Sequence, residues 1–307
     1  MIFVAFLLGT FGNAINIIVF IKLGFSDTVN ISLFALSISD LACLWSLAWL
    51  IVCYYPPFFY ADLPFVPYEI ENVTAGWPRI CFVRMTALIT SYIALERCVC
   101  IVLPLKVKTL LTPRRVVFIL VTICALMIIS IVPIFPVTPF VWKLLPSTNR
   151  TVLGTIFAPN RDDVSNTMYI FSNAYSYAAF ISISCFTAIL VGQLRTKSKW
   201  RNIAASVNNS GSVSKRDQKV VKMVVVISAV FIVCFFPETV IYIGTVINQD
   251  FRVAGRYRNF FFIVNSSMYF LEVTNSNANV IIYMRMSSKF RRAFNAIISF
   301  KKKEKSF

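Results

Sequence analysis

An adjacent glutamate and arginine, Glu96 and Arg97, lie inside the apolar run SYIALERCVCIVLPL at residues 91–105. Ionised side chains in such a run are costly unless each has a partner, because apolar surroundings solvate charge poorly. Pro104 follows seven residues after the arginine. The pair therefore indicates either a static anchor between packed helices or an ion pair that opens when the protein changes conformation.

Further charged and amide side chains interrupt the other apolar runs, where they must face the protein interior and find partners. They are Asn13, Asn16, Asp40, Arg84, Glu238, Glu272, Asn275, Asn277 and Asn279. The chain contains no histidine, and the pattern shows neither a nucleophile beside a base nor a set of metal ligands. We therefore do not expect an enzyme, and we expect no catalytic residues and no metal-ligand set.

The composition is that of an integral membrane protein. Of the 307 residues, 58% are hydrophobic and 14% are charged, with a mean hydropathy of +0.73, whereas a soluble domain of this length needs more polar surface. The first apolar run lacks the basic start and cleavage pattern of a signal peptide, so it is interpreted as a span. Stretches of about 20 apolar residues can cross a bilayer, and they lie at 1–22, 31–55, 78–103, 115–139, 167–194, 219–246 and 259–285. We predict an all-α membrane protein whose residues 1–285 form a seven-transmembrane helix bundle.

The basic residues predict the orientation of this bundle. Most of the 30 lysines and arginines lie in the connections after the first, third and fifth spans and in the tail, 286–307. Basic loops stay on the cytoplasmic side, so we expect a multi-pass cell-membrane protein with an extracellular N-terminus and a cytoplasmic C-terminus. The net charge is +17. The basic residues that give rise to it lie at span ends beside the lipid bilayer, so the charge does not indicate a nucleic-acid partner. The segment FRRAF at 290–294 predicts a short cytoplasmic amphipathic helix after span seven, with a solvated basic tail as the alternative.

Two Asn-x-Thr sequons, at Asn72 and Asn149, lie in loops expected to be outside the cell, so both asparagines are candidate glycosylation sites. All eight cysteines lie in the expected spans, and none lies in an expected outer loop. We therefore expect no disulfide framework, although disulfides are common in the extracellular parts of proteins.

Five short motifs, in the right order on the seven spans, resemble those of rhodopsin-like G-protein-coupled receptors. They are Gly12-Asn13 in span one, NISLFALSISDL with Asn30 and Asp40 in span two, Glu96-Arg97-Cys98 and Pro104 in span three, FIVCFFP with Phe235 and Pro237 in span six, and NSNANVIIY from Asn275 to Tyr283 in span seven. The resemblance covers nearly the whole chain. It implies a receptor that binds an extracellular small molecule or peptide and activates a heterotrimeric G protein.

In that class the paired charges at the cytoplasmic end act as an activation latch. The resemblance implies that the latch here consists of Glu96, Arg97, Asp217 and Tyr283. Asp217 lies twenty residues before Pro237, about 30 Å along a helix, which places it at the inner face beside Arg97. Breaking the pair would free span six to swing outward and open a G-protein site.

A polar cavity in the middle of the bundle is a second feature that the resemblance implies. Its expected members are Asn13, Asp40, Thr86, Asn275 and Asn279. A lone carboxylate in such a place needs a cation or a proton. The resemblance implies that Na⁺ binds at Asp40.

Span six carries a candidate packing switch. Phe231 and Phe235 lie four residues apart on one face, just before Pro237. The proline removes a backbone hydrogen bond and kinks the helix. The two rings act either as a switch or as plain core.

The outer half of the bundle is the ligand cavity in this class. Here it carries two arginines, two glutamates and two tyrosines, Arg79, Arg84, Glu238, Glu272, Tyr242 and Tyr269. Arg79 stands where amine-binding members carry an aspartate, which argues against a lone cationic amine as the ligand. The charges suit a zwitterionic or anionic small ligand or a peptide terminus. Alternatively, Arg84 pairs with Glu272 or Glu238 only to satisfy buried charge.

Several positions depart from the pattern of the class. Asn72 stands where span three has a cysteine, residues 140–166 hold no cysteine, and Val280 replaces the proline of span seven. With these departures, the chain is similar to expanded invertebrate chemosensory or neuropeptide-receptor branches, and the chemosensory branch is favoured. Two alternatives stay open. One is a transporter or channel that uses the buried charges as a permeation path, although no internal repeat supports it, and the other is a decayed receptor that no longer signals.

Overall fold

A computed structural model of the chain describes residues 2–104, 106–145, 149–204, 215–247, 250 and 256–304. Short helical segments at Pro56–Phe59, Pro67–Glu71, Val107–Leu110 and Ile134–Val137 occupy connections between longer helices. The long helices are α1 Ile2–Leu23, α2 Thr28–Tyr54, α3 Trp77–Val102, α4 Pro113–Ile131, α5 Arg161–Ala204, α6 Lys215–Ile247, α7 Arg258–Met286 and α8 Ser288–Glu304. Helices α1 to α7 correspond to the seven spans expected from the sequence, and α8 corresponds to the expected tail helix.

Six of the described helices, α1 to α6, are long and apolar enough to cross a membrane. Helix α7 is also long but is less apolar than these six. Its polar residues include Glu272, Asn275 and Asn279, all of which are buried. With 29 residues, α7 is about 43 Å long, more than the hydrocarbon layer of about 30 Å requires. A helix of this kind can cross a bilayer because its polar side chains face the protein rather than the lipid.

Helix α3 lies at the centre of the bundle, where it packs against α2, α4, α5 and α6. In the apolar 18-residue stretch of the span that includes α3, 67% of the residues are buried, against 17% in the corresponding stretches of α4 and α5. Met85, Ile89 and Ile93 of α3 join the main hydrophobic core together with residues from the neighbouring helices. This central position lets the charged residues of α3 reach partners on several helices.

The connection between α4 and α5 forms an antiparallel hairpin that the all-α expectation did not include. Its strands are β1 Phe140–Leu145 and β2 Arg150–Thr155, joined through a turn at Asn149. Alternate residues of β1 are exposed, which is the two-residue period of a strand with one open face. Asn149 has a φ of 52°, in the left-handed region that asparagine tolerates better than most residues. We call the end of the bundle that carries this hairpin the hairpin end and the opposite end the Arg97 end.

Helix α8 lies at the Arg97 end and packs one face against α1 and α7. The Phe290 side chain is 1% exposed, and its ring centroid lies 5.5 Å from that of Phe20 and 5.6 Å from that of Tyr283. Arg291 and Arg292 are exposed. A helix with one apolar and one basic face is typical of the membrane surface, and the predicted amphipathic helix is confirmed.

Helices α1 and α7 approach closely at Gly12. A Cβ atom on Gly12 would lie 2.9 Å from Cγ1 of Val280, and a β-branched valine has little rotamer freedom in a helix to move away. We therefore predict that Gly12→Ala lowers the melting temperature of the purified protein by roughly 3 °C or more. Gly192→Ala is the control, because nothing lies within 4 Å of its added Cβ and alanine favours helix. Equal melting temperatures for the two variants would rule out the close contact.

Candidate functional site

Arg79 on α3 and Glu272 on α7 form a buried ion pair in the hairpin-end half of the bundle. Nη1 of Arg79 donates to both carboxylate oxygens of Glu272, each at 2.8 Å, and both residues are buried. The guanidinium carbon of Arg79 also lies 4.5 Å from the centroid of the Tyr269 ring, and Nδ2 of Asn265 donates to the Tyr269 hydroxyl at 2.9 Å. Because charge is poorly solvated at this depth, each member of the pair depends on the other.

Arg84 and Glu238 form a second buried ion pair, between α3 and α6. Nη1 of Arg84 lies 3.3 Å from Oε1 of Glu238, and Nε of Arg84 donates to Oγ of Ser172 on α5 at 3.1 Å. The sequence left two partners open for Arg84, and in the structure Glu238 is the partner. Tyr242 helps to line a cavity of ≈ 20 Å³ beside this pair, which has room for about one water molecule.

The rings of Phe231 and Phe235 stack on each other in α6, with centroids 4.3 Å apart and an interplanar angle of 19°. Both side chains are buried in a cluster with residues of α3 and α5. Pro237 in the same helix cannot donate a backbone hydrogen bond, and Oγ1 of Thr239 donates to the Phe235 carbonyl at 2.9 Å. The stacked rings therefore lie beside a weakened turn of α6, and their role as a switch stays a prediction.

Asp40 is fully buried in the middle of the bundle and links α2 to α3 and α7. Its Oδ1 accepts a hydrogen bond from Oγ1 of Thr86 at 3.0 Å, and its Oδ2 accepts one from Nδ2 of Asn279 at 2.7 Å. Oγ1 of Thr86 also lies 3.0 Å from Oγ of Ser39. The structure thus brings together a carboxylate and several neutral polar groups.

The other two residues expected at this polar cavity, Asn13 and Asn275, lie nearby with different contacts. Nδ2 of Asn13 donates to the backbone carbonyls of Gly9 and Ser276, at 3.0 and 3.3 Å, and so ties α1 to α7. Asn275 is buried one helical turn before Asn279, on the same face of α7. Within the described residues, no group of three or more histidine, cysteine, aspartate or glutamate side chains is arranged to hold a metal ion.

At the Arg97 end, Glu96 is fully buried and accepts hydrogen bonds from α2 and α3. Nη2 of Arg97 donates to its Oε1 at 2.6 Å, Oγ of Ser32 donates to its Oε2 at 3.1 Å, and Thr28 Oγ1 also donates to Oε1. Sequence reasoning missed Thr28 and Ser32, although two hydroxyls four residues apart share one helical face. Asp217 belongs to the first turn of α6, and its side chain lies outside the described part of the structure.

Tyr283, the fourth residue of the expected latch, is fully buried close to α1 and α8. Its ring centroid lies 5.4 Å from that of Phe20 in an edge-on contact. Its hydroxyl has no hydrogen-bond partner among the residues that the structure describes, which is costly for a buried polar group. Tyr283 also lines a cavity of ≈ 250 Å³ together with Lys219 and Lys289.

Glu69 tethers the hairpin to the helical segment before α3, and sequence reasoning missed it. Its carboxylate accepts hydrogen bonds from Nζ of Lys143 at 2.6 and 2.8 Å and from the Thr155 backbone N–H at 2.6 Å. The backbone N–H of Val66 also donates to the Leu153 carbonyl at 2.9 Å. All eight cysteines are free thiols, so these polar contacts hold the hairpin over the bundle. The sequence signal for this contact was Lys143, which occupies an inward-facing position of β1.

The two sequons differ in geometry. Asn149 is exposed in the hairpin turn. Asn72 begins a π turn, Asn72–Gly76, that runs into α3, and Thr74 of the same sequon accepts a hydrogen bond from Trp49 Nε1 at 3.0 Å. The expectation that Asn72 lies in an outer loop is therefore wrong, because the helical segment before α3 is longer than the apolar run. Glycosylation of Asn149 stays a prediction.

Comparison with known proteins defines the class. The family model described as 7 transmembrane receptor (rhodopsin family) matches residues 12–283, from the first helix of the bundle to the end of the seventh. The chain therefore belongs to the rhodopsin family of seven-transmembrane receptors, the G-protein-coupled receptors, and is a multi-pass membrane protein. The resemblance predicted from the motifs is confirmed.

Two known receptors are similar over most of the chain, and both come from invertebrates. The Tachykinin-like peptides receptor 86C of Drosophila melanogaster is 24% identical over 276 residues, which cover 88% of this chain and 51% of that receptor. The Galanin-like G-protein coupled receptor npr-9 of Caenorhabditis elegans is 24% identical over 322 residues, which cover 95% of this chain and 70% of that receptor. The chain thus spans about half the length of the first relative.

Proposed function

We propose that this chain is a receptor for an extracellular peptide and that it activates a heterotrimeric G protein at the Arg97 end. The observation that carries the proposal is the pair of buried polar clusters at opposite ends of the bundle, with the Asp40 cluster between them. The ion pairs of Arg79 and Arg84 join α3 to α7 and α6, and the Glu96–Arg97 pair lies at the other end of α3. A ligand that rearranges the first two pairs changes how α6 and α7 pack, which biases the state of the latch.

The relatives support a peptide as the ligand, because one is a tachykinin-like peptides receptor and the other a galanin-like receptor. This favours the neuropeptide branch over the chemosensory branch. Arg79 and Arg84 are each held by a glutamate, so an anionic group on a ligand has to compete with Glu272 or Glu238. A peptide that contacts many groups can offset that competition better than a small anion can.

The proposed orientation places the hairpin end outside the cell and the Arg97 end in the cytoplasm. Basic residues gather at the Arg97 end, where Lys219, Lys289 and Arg292 line the cavity beside α8. Basic connections stay on the cytoplasmic side of a membrane. This orientation makes the N-terminus extracellular and the C-terminus cytoplasmic, and it exposes Asn149 for glycosylation.

We also propose that Asp40 binds Na⁺. The residues fit, because Oγ1 of Thr86 lies within hydrogen-bond distance of both the Asp40 carboxylate and the Ser39 hydroxyl, and hard cations prefer oxygen ligands. Among the described residues, the hydrogen-bond donors to Asp40 are neutral, so its charge needs a cation or a proton.

We predict that Na⁺ raises the melting temperature of the purified receptor more than K⁺ does at the same ionic strength, because the bound ion stabilises the folded state. Asp40→Asn should abolish this difference, since it removes the charge that attracts the ion. Thermal melting in NaCl and in KCl measures the effect. If the two salts act equally on the unsubstituted receptor, Asp40 does not select Na⁺.

The transporter or channel interpretation has less support. The buried ion pairs of the described chain lie in separate clusters rather than along one continuous polar path, and the matching family consists of receptors. A decayed receptor would keep the same fold and would differ in lacking exchange activity.

The proposal is tested by guanine-nucleotide exchange on a panel of heterotrimeric G proteins. Membranes that contain the chain, shown to be at the cell surface, are compared with empty membranes, with and without pools of synthetic amidated peptides. We expect at least one peptide pool to raise exchange on at least one G protein. If exchange matches that of empty membranes under all conditions, the decayed-receptor interpretation replaces the proposal.

A further inference from the structure

Glu71 is a buried carboxylate that has no hydrogen-bond or ion-pair partner among the residues that the structure describes. It ends the short helix Pro67–Glu71 and is 3% exposed. It forms no hydrogen bond or ion pair with any residue that the structure describes, and its Oε1 is both buried and unsatisfied. The other buried glutamates of the described chain each have a cationic partner, and they are Glu69, Glu96, Glu238 and Glu272.

A second unsatisfied acceptor lies next to Glu71. Oδ1 of Asn72 is also buried without a hydrogen-bond partner among the described residues. Both side chains lie beside Gly76, since a Cβ atom there would be 3.4 Å from Oε1 of Glu71 and 3.8 Å from Nδ2 of Asn72. The glycine leaves this position open. Oε1 of Glu71 faces this position, and the two buried acceptors call for N–H donors that the described chain does not supply.

The π turn orients Glu71 toward the same face of the helix as Arg79. Two turns of an α-helix take about seven residues, and a π turn adds about one. The turn Asn72–Gly76 lies between Glu71 and Arg79, so their spacing of eight residues corresponds to about two turns. Glu71 therefore lies above the Arg79–Glu272 pair, nearer to the hairpin. Arg79 itself is committed to Glu272 and does not pair with Glu71.

Two aromatic residues, Tyr54 of α2 and Tyr169 of α5, lie within electrostatic range of this carboxylate. The Arg79 guanidinium does so as well, although its ion pair is with Glu272. Aromatic rings favour cations over anions, and so does an unpaired carboxylate. Leaving a charge buried and unpaired costs stability, and proteins retain such a cost mainly at functional sites.

We propose that Glu71 and Asn72 bind a positively charged group of the ligand, namely the ammonium of a lysine or amino terminus or the guanidinium of an arginine. The inference rests on the proposed function, because it names the part of a peptide that the receptor recognises at its hairpin end. A cationic N–H group donates to both acceptors and neutralises the buried carboxylate.

Thermal melting of the purified full chain with defined peptide pools tests this site. The pools are amidated hexapeptides that are randomised except for one position fixed as arginine, glutamine or glutamate, and EDTA removes divalent cations. We expect the arginine pool to raise the melting temperature by about 3 °C or more and the other two pools to have smaller effects. Glu71→Gln should lose this selectivity and should melt no lower than the unsubstituted chain without peptide. Glu71→Lys should transfer the preference to the glutamate pool.

Asp162→Asn is the matched control, because the Asp162 side chain is 87% exposed and its loss changes the net charge by the same amount. It should keep the preference for the arginine pool. The assignment would be overturned if the glutamate pool stabilised the unsubstituted chain or if the arginine pool did not. It would also be overturned if the arginine pool stabilised Glu71→Gln as much as the unsubstituted chain. Ligand-free exchange and its dependence on Arg97 do not involve Glu71, so exchange measured in parallel separates failure of this site from failure of the receptor function.

Discussion

Glu272→Ala is expected to destabilise the receptor by about 3–5 kcal/mol, because it leaves Arg79 buried without its partner. Arg79→Met should have a similar effect for the converse reason. The double variant Arg79→Met/Glu272→Leu should recover most of the loss, since apolar side chains of similar volume replace both charges. Thermal melting of Arg79→Met, Glu272→Leu, the double variant and the unsubstituted chain gives the coupling between the two residues.

Arg150→Ala is the matched control for this cycle. Arg150 pairs with Asp62, but the two side chains are 62% and 65% exposed, and exposed pairs contribute about 1 kcal/mol at most. We therefore expect little change in its melting temperature. If Glu272→Ala were as mild as the control, or if the double variant were as unstable as the single ones, the buried pair would not join α3 to α7.

Glu96→Gln is expected to raise ligand-free nucleotide exchange by about tenfold, whereas Arg97→Ala should abolish exchange. A hydrogen bond to a charged group contributes about 1.5–3 kcal/mol, and about 1.4 kcal/mol changes an equilibrium tenfold, so weakening the Glu96–Arg97 pair should populate the open state. Asp217→Ala is also predicted to raise exchange, because its spacing of twenty residues before Pro237 predicts a position near Arg97. The measurement is exchange by membranes with matched surface expression.

Two serines of α2 provide an internal comparison for the latch. Ser32 donates to Glu96, whereas Ser37 donates to the carbonyl of Leu33 within its own helix. Ser32→Ala should therefore raise exchange slightly, and Ser37→Ala should leave it unchanged. Unchanged exchange in both Glu96→Gln and Ser32→Ala would mean that the charge pair is a static anchor.

The bundle and the residues of its polar clusters could be predicted from the sequence because both follow from the solvent that the helices meet. Apolar runs of membrane length and basic connections indicate spans and their orientation. Ionisable side chains such as Asp40, Glu96 and Glu272 must face the bundle because lipid does not solvate them. The residue types alone therefore predict the spans and the polar residues that face the bundle interior.

Partner choice could not be predicted in the same way. Whether Arg84 pairs with Glu238 or Glu272 depends on the rotation and depth of α3, α6 and α7, which spacing along one helix does not determine. The position of the hairpin depends on the contact between Glu69 and Lys143, two residues that are distant in the chain. The π turn extends the helical segment beyond the apolar run, so that Asn72 is helical and Glu71 shares a face with Arg79.

The central claim is that the Arg97 end controls a G protein, and ligand-free exchange by the unsubstituted chain and by Arg97→Ala tests it most directly. Both proteins are measured on the same panel of heterotrimeric G proteins at equal surface expression, with empty membranes as the baseline. We expect the unsubstituted chain to exceed the baseline on at least one G protein and Arg97→Ala to fall to the baseline. Equal exchange by the two proteins would contradict the claim, because the buried arginine would then have no part in coupling.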